Sequence, residues 1–495
     1  MLYFWCFPKK HQWIALLIIS YCFYAYFAGW KLFLYIIFTT CSVFFSARSF
    51  RLIKKPKIKK LIIAAVIISN ITILAFFKWY NSVTTVVNFA IGKVAPDSSI
   101  ALSPLKLILP LGISFYIFQS LGYLIDAYRK KVEPENNIFR FALFVSFFPQ
   151  LIQGPISRYN ELADQLYKSR KFNFDKAKSG IQLMLWGLFK KLVIADRLVV
   201  VVNTIFSDME TYKGLYILIG AISSFIVLYT DFSGGVDLTC GVAELFGIDL
   251  PVNFRRPFFS RSLPEFWGRW HITLNTWWRD YIFYPLILSK PMVKFTRFVR
   301  NNISADIGRV IGVYISLYIV RMLNAMWHGA NTYFIATGVY QSTLIVLGLM
   351  LSPVSKKLVK VLHIDPDSFS WKLFQVIRTF LLTGICQIFW NVKSVTNSFK
   401  SFLSIFKDFN LQIIKFDLSF LVGLSDLDIR IMVISLAMLL IVEILQENGV
   451  SLRKALNRQH LIFQWVVLLA AFVIVIIWGC YGINFDPASF VYQDF

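Results

Sequence analysis

Five histidines and six cysteines are all the imidazole and thiol groups in this 495-residue sequence. Cys6, Cys22, Cys41, Cys240, Cys386 and Cys480 are scattered, mostly inside apolar stretches, with no CxxC and no metal-ligand spacing. They read as small buried hydrophobes, and no metal site is expected. The sequence has no GxSxG elbow, no HExxH, no GxxxxGK[ST] loop and no GxGxxG after a strand, which removes serine-hydrolase, zinc-protease, P-loop and dinucleotide readings. No period of 20 to 50 residues repeats, and no Gly-, Ser- or Pro-rich linker divides the chain, so residues 1–495 are expected to form one membrane domain.

Acidic residues are scarce too: 27 Asp and Glu stand against 51 Lys and Arg, a net charge of +24. The basic residues fall between hydrophobic runs instead of forming a domain, so they are read as topology signals and no nucleic-acid partner is expected. The densest group, Arg48, Arg51, Lys54, Lys55, Lys57, Lys59 and Lys60, places its loop in the cytoplasm. Arg129–Lys131, Lys356–Lys360 and Arg453–Arg458 read the same way, with contact to anionic lipid head groups as a secondary consequence. The opening MLYFWCFPKKHQW puts Lys9 and Lys10 after a brief apolar stretch, the reverse of a signal peptide's charge order, so the first span is expected to act as an anchor.

What the sequence has in abundance is apolar length: 57% of residues are hydrophobic and mean hydropathy is +0.62. Runs long enough to cross about 30 Å of hydrocarbon recur along the chain. They are continuous rather than alternating, which selects helices over a barrel. Expected spans are Trp13–Phe27, Leu32–Phe45, Leu61–Phe77, Leu107–Leu124, Phe141–Ile152, Ile181–Ile205, Leu215–Tyr229, Val310–Met326, Tyr333–Leu351, Leu373–Trp390, Ile429–Leu445 and Leu461–Trp478. Phe141–Ile152 is too short to cross alone, and with Pro149 and Pro155 nearby it is read as re-entrant or broken. Residues 250–290, chiefly Leu250–Leu288, mix Trp, Phe and Tyr with Arg255, Arg256, Arg261, Arg269 and Arg279. This is the signature of short helices lying in or dipping into the interface. The aromatic tail GINFDPASFVYQDF is also expected at an interface.

His11, His363 and His460 sit in polar or loop contexts and read as uninvolved. His328 ends the apolar run VIGVYISLYIVRMLNAMWHGAN, where an ionisable side chain is functional by default. His271 falls in WGRWHITLNTWWRD. On a helix Asn275 would share a face with His271, and Asn324 with His328, giving each ring an amide neighbour to fix its tautomer. Burial favours a neutral imidazole, the state a base requires. From position alone, His328 is equally well explained as a hydrogen-bonding link between helices. Asp231 and Asp237, in YTDFSGGVDLTCG, suggest a carboxylate pair or an ion site, or equally a broken helix whose acids are satisfied locally.

Trp327-His328-Gly329, preceded by EFWGRWHITLNTWWRDY, strongly resembles the membrane-bound O-acyltransferase (MBOAT) family. ILPLGISFYIFQSLGYLIDAYR, FFPQLIQGPISRYNELADQL, GLFKKLVIADRL, DFSGGVDLTCG and FVYQDF extend the resemblance over most of the chain in the expected order. It looks most like the bacterial alginate and peptidoglycan O-acetyltransferases, with the teichoic acid D-alanyltransferases as close relatives. The resemblance implies an all-α polytopic fold of about 11 to 13 spanning or re-entrant helices, arranged in a ring around a central tunnel, in the bacterial plasma membrane. It implies that His328 and His271 are the catalytic positions, with Asn324, Asn275, Trp327, Trp270, Arg269 and Asp231 lining the tunnel. It also implies a thioester donor on the cytoplasmic side, acetyl-CoA or an acyl carrier protein, with no bound cofactor. The implied acceptor is a polysaccharide or cell-wall polymer, served by an extracytoplasmic esterase-like partner, since the chain has no Gly-Asp-Ser block of its own.

The sequence departs from the family pattern in several places. Gly268 replaces the second arginine of WRRWH, Ala325-Met326 stand where Gly-Leu is typical, and Gln341 stands where many relatives have another histidine. The additional N-terminal apolar segment usual in relatives is absent, so Met1 is expected to be a shortened start or to begin a truncated helix. D-alanyl transfer from a carrier protein to teichoic acid is the alternative activity. A transporter or flippase is the reading without chemistry; it predicts half-repeats and charge-lined spans, which the sequence does not display.

Overall fold

A computed structural model describes residues 2–94, 101–105, 109–409 and 423–481. The expected interfacial tail, FVYQDF included, lies outside them, as do Leu107 and Ile108 at the start of one predicted span. The described residues fold as helices with no strand among them. Among the described residues, eight helices are long and apolar enough to cross a membrane: Lys9–Ala28, Lys31–Leu52, Pro56–Val94, Leu215–Leu245, Ala305–His328, Thr332–Met350, Phe369–Val392 and Leu461–Trp478. Leu461–Trp478 has only 17% of its window buried by protein. Such an apolar surface would be prohibitive in water, whereas lipid is its natural solvent. The protein is an all-α polytopic membrane protein.

Two compact units divide the chain. The first comprises Met1–Ile181 and Thr239–Pro251. In it, the stretch expected to be broken is broken at Phe147, between helices Ile138–Ser146 and Phe148–Gln153. The backbone freed there finds side-chain partners, as hydrocarbon requires. Gln119 Nε2 donates to the Phe144 carbonyl at 2.6 Å, and Gln150 Nε2 donates to the Pro155 carbonyl at 2.8 Å and to Ser157 Oγ. The helix expected over Leu61–Phe77 extends over the whole of Pro56–Val94.

The second unit comprises Gln182–Leu238 and Val252–Phe495. The run read as one span, Ile181–Ile205, is one helical rod with a π-helical stretch, Phe189–Ala195, between Phe174–Leu188 and Asp196–Ser207. That stretch carries Lys190 and Lys191 into the interior. Lys190 pairs with Asp237 at 2.7 Å and donates to Ser233 at 2.8 Å, and Lys191 pairs with Asp231 at 2.7 Å and Asp196 at 2.9 Å. The break expected in DFSGGVD is absent, since Leu215–Leu245 is a continuous helix. Its acids are matched by lysines from the neighbouring rod rather than locally, so nothing requires the backbone to open. Residues 250–290 contain the short helices Leu263–Arg269, Ile272–Trp278 and Tyr284–Ile287, with a π turn over Arg279–Phe283. The cysteines correct the sequence reading in part: Cys386 and Cys480 are buried, but Cys6 and Cys22 are exposed on the protein surface, where lipid rather than protein would cover an apolar helix face.

Gly187 and Gly234 let these two helices approach closely. A Cβ on Gly187 would lie 2.5 Å from the Gly234 carbonyl oxygen and 2.9 Å from the Leu238 nitrogen. Both are backbone atoms and cannot swing aside. Gly187→Leu is therefore expected to cost about 1–3 kcal/mol and to lower the thermal midpoint of the detergent-solubilised protein. Leucine at Gly268, where a Cβ meets nothing within 4 Å, is the matched control.

Candidate active site

The second unit contains a cavity with about 50 Å³ of free space, room for a few waters or a two-carbon acyl group. Its wall includes both His271 and His328, together with Asn324, Asn275, Trp267 and Trp270. Two histidines 57 positions apart in sequence thus face one small volume.

His328 is the last residue of helix Ala305–His328. Its ring meets Trp327 edge-on at 4.8 Å, Trp390 at 5.5 Å and Phe334 at 6.3 Å. The following glycine has a steric reason, because a Cβ on Gly329 would strike the Phe334 ring at 2.5 Å. Only a residue without a side chain lets that ring close over the histidine.

His271 is held differently. It does not continue a helix; it separates Leu263–Arg269 from Ile272–Trp278 with φ of 43°, a left-handed conformation that costs energy in a residue with a side chain. The neighbouring backbone enforces it. The Ile272 N–H donates to the Asn253 carbonyl at 2.9 Å, and the Arg255 N–H to the Arg269 carbonyl at 2.9 Å. Asn253 Oδ1 receives the Thr273 N–H at 3.1 Å and its hydroxyl at 2.8 Å, and lies 3.2 Å from His271 Nδ1. An amide oxygen accepts, so Nδ1 carries the proton and Nε2 the lone pair. Phe232 packs edge-on against the ring at 4.8 Å. Burial drives the imidazole pKa down to about 3, so His271 is neutral throughout the physiological range.

The amide expected to fix this tautomer is the wrong one. Asn275 bonds to backbone instead of the ring: its Nδ2 donates to the Trp270 carbonyl at 2.6 Å and the His271 carbonyl at 3.1 Å, while its Oδ1 accepts from Arg321 at 2.9 Å. The helix break at His271 removes the one-face geometry on which that expectation rested. Asn324 does lie one turn before His328 on a continuous helix. It is 7% exposed, it faces the cavity, and its Oδ1 has no hydrogen-bond partner among the described residues.

Trp270 is in the wall, stacked on Phe266 at 5.5 Å. Three residues expected in a tunnel lie outside this wall. Trp327 packs against His328 from behind. Asp231 pairs with Lys191. Arg269 joins Glu265 at 2.7 Å and Glu447 at 2.9 Å, and Arg256 also reaches Glu447 at 2.6 Å. Burial works to raise the Glu447 carboxyl, but hydrogen bonds from Arg256 and Arg269 prevail and hold it below the usual range. The cluster ties the arginine-rich segment to helix Asp426–Glu447. Asn253, Trp267, Phe334, Gln341, Cys386, Gln387 and Trp390 were missed as site residues. Of these, Gln341 gave a signal as a departure from a familiar motif, and Trp267 gave one as part of the EFWGRWH motif.

Residues 127–389 match the model of the membrane-bound O-acyltransferase family, a stretch that contains both histidines. The chain is similar to the probable alginate O-acetylase of Pseudomonas syringae pv. tomato, 32% identical over 76% of this chain and 66% of that protein. It is similar to the peptidoglycan O-acetyltransferase of Helicobacter pylori, 29% identical over 69% and 64% of the two chains. It also matches the teichoic acid D-alanyltransferase of Bacillus subtilis, 28% identical over 49% and 59%. In these three, the matched stretch spans about two thirds or less of the relative's own length.

The depressed His271 pKa carries a sign. Unfolded, the ring takes a proton near pH 6.5; folded, it resists protonation until about pH 3. The unfolded state therefore binds more protons in that window, and stability falls as pH drops from about 6.5 toward 3. Thermal midpoints measured at pH 7.5, 6.5 and 5.5 should decline, and His271→Gln should flatten the decline. An unchanged slope in that variant would show that His271 is not the group responsible.

Proposed function

The chain belongs to the membrane-bound O-acyltransferase family, and on that footing we propose that it moves an acyl group, acetyl in first place, from a cytoplasmic thioester to hydroxyls of a cell-surface or secreted polysaccharide. The observation that carries this is the meeting of His271, His328 and the amide of Asn324 around one small cavity. In this reading His328 takes the proton of the acceptor hydroxyl while its oxygen attacks the thioester carbonyl. The carbonyl becomes an oxyanion, for which Asn324 Nδ2 is a donor. Collapse breaks the C–S bond, and the departing thiolate recovers the proton from His328. His271, neutral and fixed by Asn253, presents Nε2 as an acceptor that orients a reactant hydroxyl or amide.

D-alanyl transfer is the second reading, supported by the similarity to the D-alanyltransferase. The cavity favours acetyl. None of its wall residues is Asp or Glu, so the ammonium of a D-alanyl thioester would meet no counter-charge there, and Arg321 lies close behind the wall. A bacterial plasma membrane location, acetyl-CoA as donor and an extracytoplasmic esterase-like partner belong to the same proposal.

Purified protein supplied with radiolabelled acetyl-CoA and an oligosaccharide acceptor, with its partner present, should form labelled ester. His328→Ala should lose about two to four orders of magnitude in kcat; ester formation at the normal rate by a well-folded variant would end the base assignment. Asn324→Ala should lose about a hundredfold in kcat with KM nearly constant, whereas a change confined to KM would make it a binding residue instead.

A further inference from the structure

Arg321 lies inside the membrane-spanning helix Ala305–His328, and no carboxylate lies within ion-pair distance of it among the described residues. Elsewhere in the second unit, buried cations are answered by acids: Lys190 by Asp237, Lys191 by Asp231 and Asp196, and Arg197 by Asp428 at 3.1 Å. Arg321 has instead a neutral amide and a ring. Its Nη1 donates to Asn275 Oδ1 at 2.9 Å, and its guanidinium lies over Trp267 at 4.2 Å. Stacking fixes the plane of the group but cancels none of its charge. A cation left uncompensated in a low-dielectric setting is expensive unless something answers it.

Its position says what could answer it. Asn275 and Trp267, its two partners, are both wall residues of the cavity. Arg321, Asn324 and His328 follow one another at spacings of three and four, so they fall along one side of their helix. Seven residues at about 1.5 Å each separate the Cα atoms of Arg321 and His328 by about 10 Å along the axis. Asn275 uses one of five N–H donors. The others remain for a planar, charged partner.

We propose that Arg321 is an anion-recognition residue, which receives a carboxylate or phosphate group of a substrate seated in the cavity and so sets where that substrate stands relative to His328. This rests on the acyl-transfer reading for the identity of the substrate. The negative group has two available sources: phosphates of a coenzyme A donor, or carboxylates of an acidic sugar acceptor. In either case Arg321 positions and selects, taking no part in bond making.

The test is binding without turnover, so that its failure is distinct from failure of the acyl-transfer reading. Dissociation constants are measured on the purified full chain in lipid nanodiscs for two charged probes and their neutral counterparts, coenzyme A against pantetheine and tetragalacturonate against its methyl ester. The wild type should prefer at least one charged probe to its counterpart. Arg321→Gln should weaken that charged probe about tenfold or more and leave the neutral one within about twofold; which probe responds identifies the source. Arg321→Lys, which keeps the charge but not the planar stack, should fall between, and it serves as the working variant if Arg321→Gln does not fold. Three outcomes overturn the proposal: a wild type that prefers neither charged probe, substitutions that change no affinity, or substitutions that weaken charged and neutral probes alike, as a purely structural role would.

Discussion

Hydrocarbon offers a backbone amide or a charged side chain nothing to bond to, and each polar feature of this protein is placed under that constraint. Where a helix is broken, as at Phe147, glutamines from nearby segments complete the backbone bonding. Lys190 and Lys191, carried into the interior, are matched to the acids of Leu215–Leu245. That pairing explains why a sequence with few acids concentrates several of them on one helix and its neighbour. The glycines at 187 and 234 have a related role, because two helices can share such a charge ladder only when their backbones lie close.

The candidate active site obeys the same constraint with a different solution. Its wall combines aromatic and aliphatic side chains with four amides, so it is polar enough to hold a reacting carbonyl, and it includes no Asp or Glu. His271 pays for its place through a left-handed backbone, and that conformation is sustained by a hydrogen-bonded frame around Asn253 and by ion pairs from Arg256 and Arg269 to Glu447. Arg256 and Arg269 thus anchor the segment from which the histidine projects. His328 obtains its position more cheaply, from a helix end and a glycine that lets Phe334 close against it.

The two histidines are therefore not equivalent. One is clamped, neutral and fully enclosed, which suits a fixed hydrogen-bond partner. The other stands at a helix terminus beside a buried amide, which suits a group that must accept and return a proton. The cavity whose wall both share has only about 50 Å³ of free space, which limits what can stand between them.

Much of this was determined by the sequence alone. Continuous apolar runs dictated helices, because lipid admits only helices or closed barrels and the runs do not alternate, and the short run Phe141–Ile152, with Pro149 inside it and Pro155 just beyond, foretold a break. An ionisable ring at the end of an apolar helix marked His328, and its motif with that of His271 marked the family. Only tertiary structure decided which residues stand with them. Arg269 looks like a site residue by proximity in sequence, yet it is spent on Glu265 and Glu447, while Asn253 and Trp390 arrive from segments distant from the histidines they meet. Helical spacing failed at His271 because a positive φ interrupts the helix there. The partners of a buried polar atom are set by whichever chain segment packs against it, and local periodicity carries no record of that.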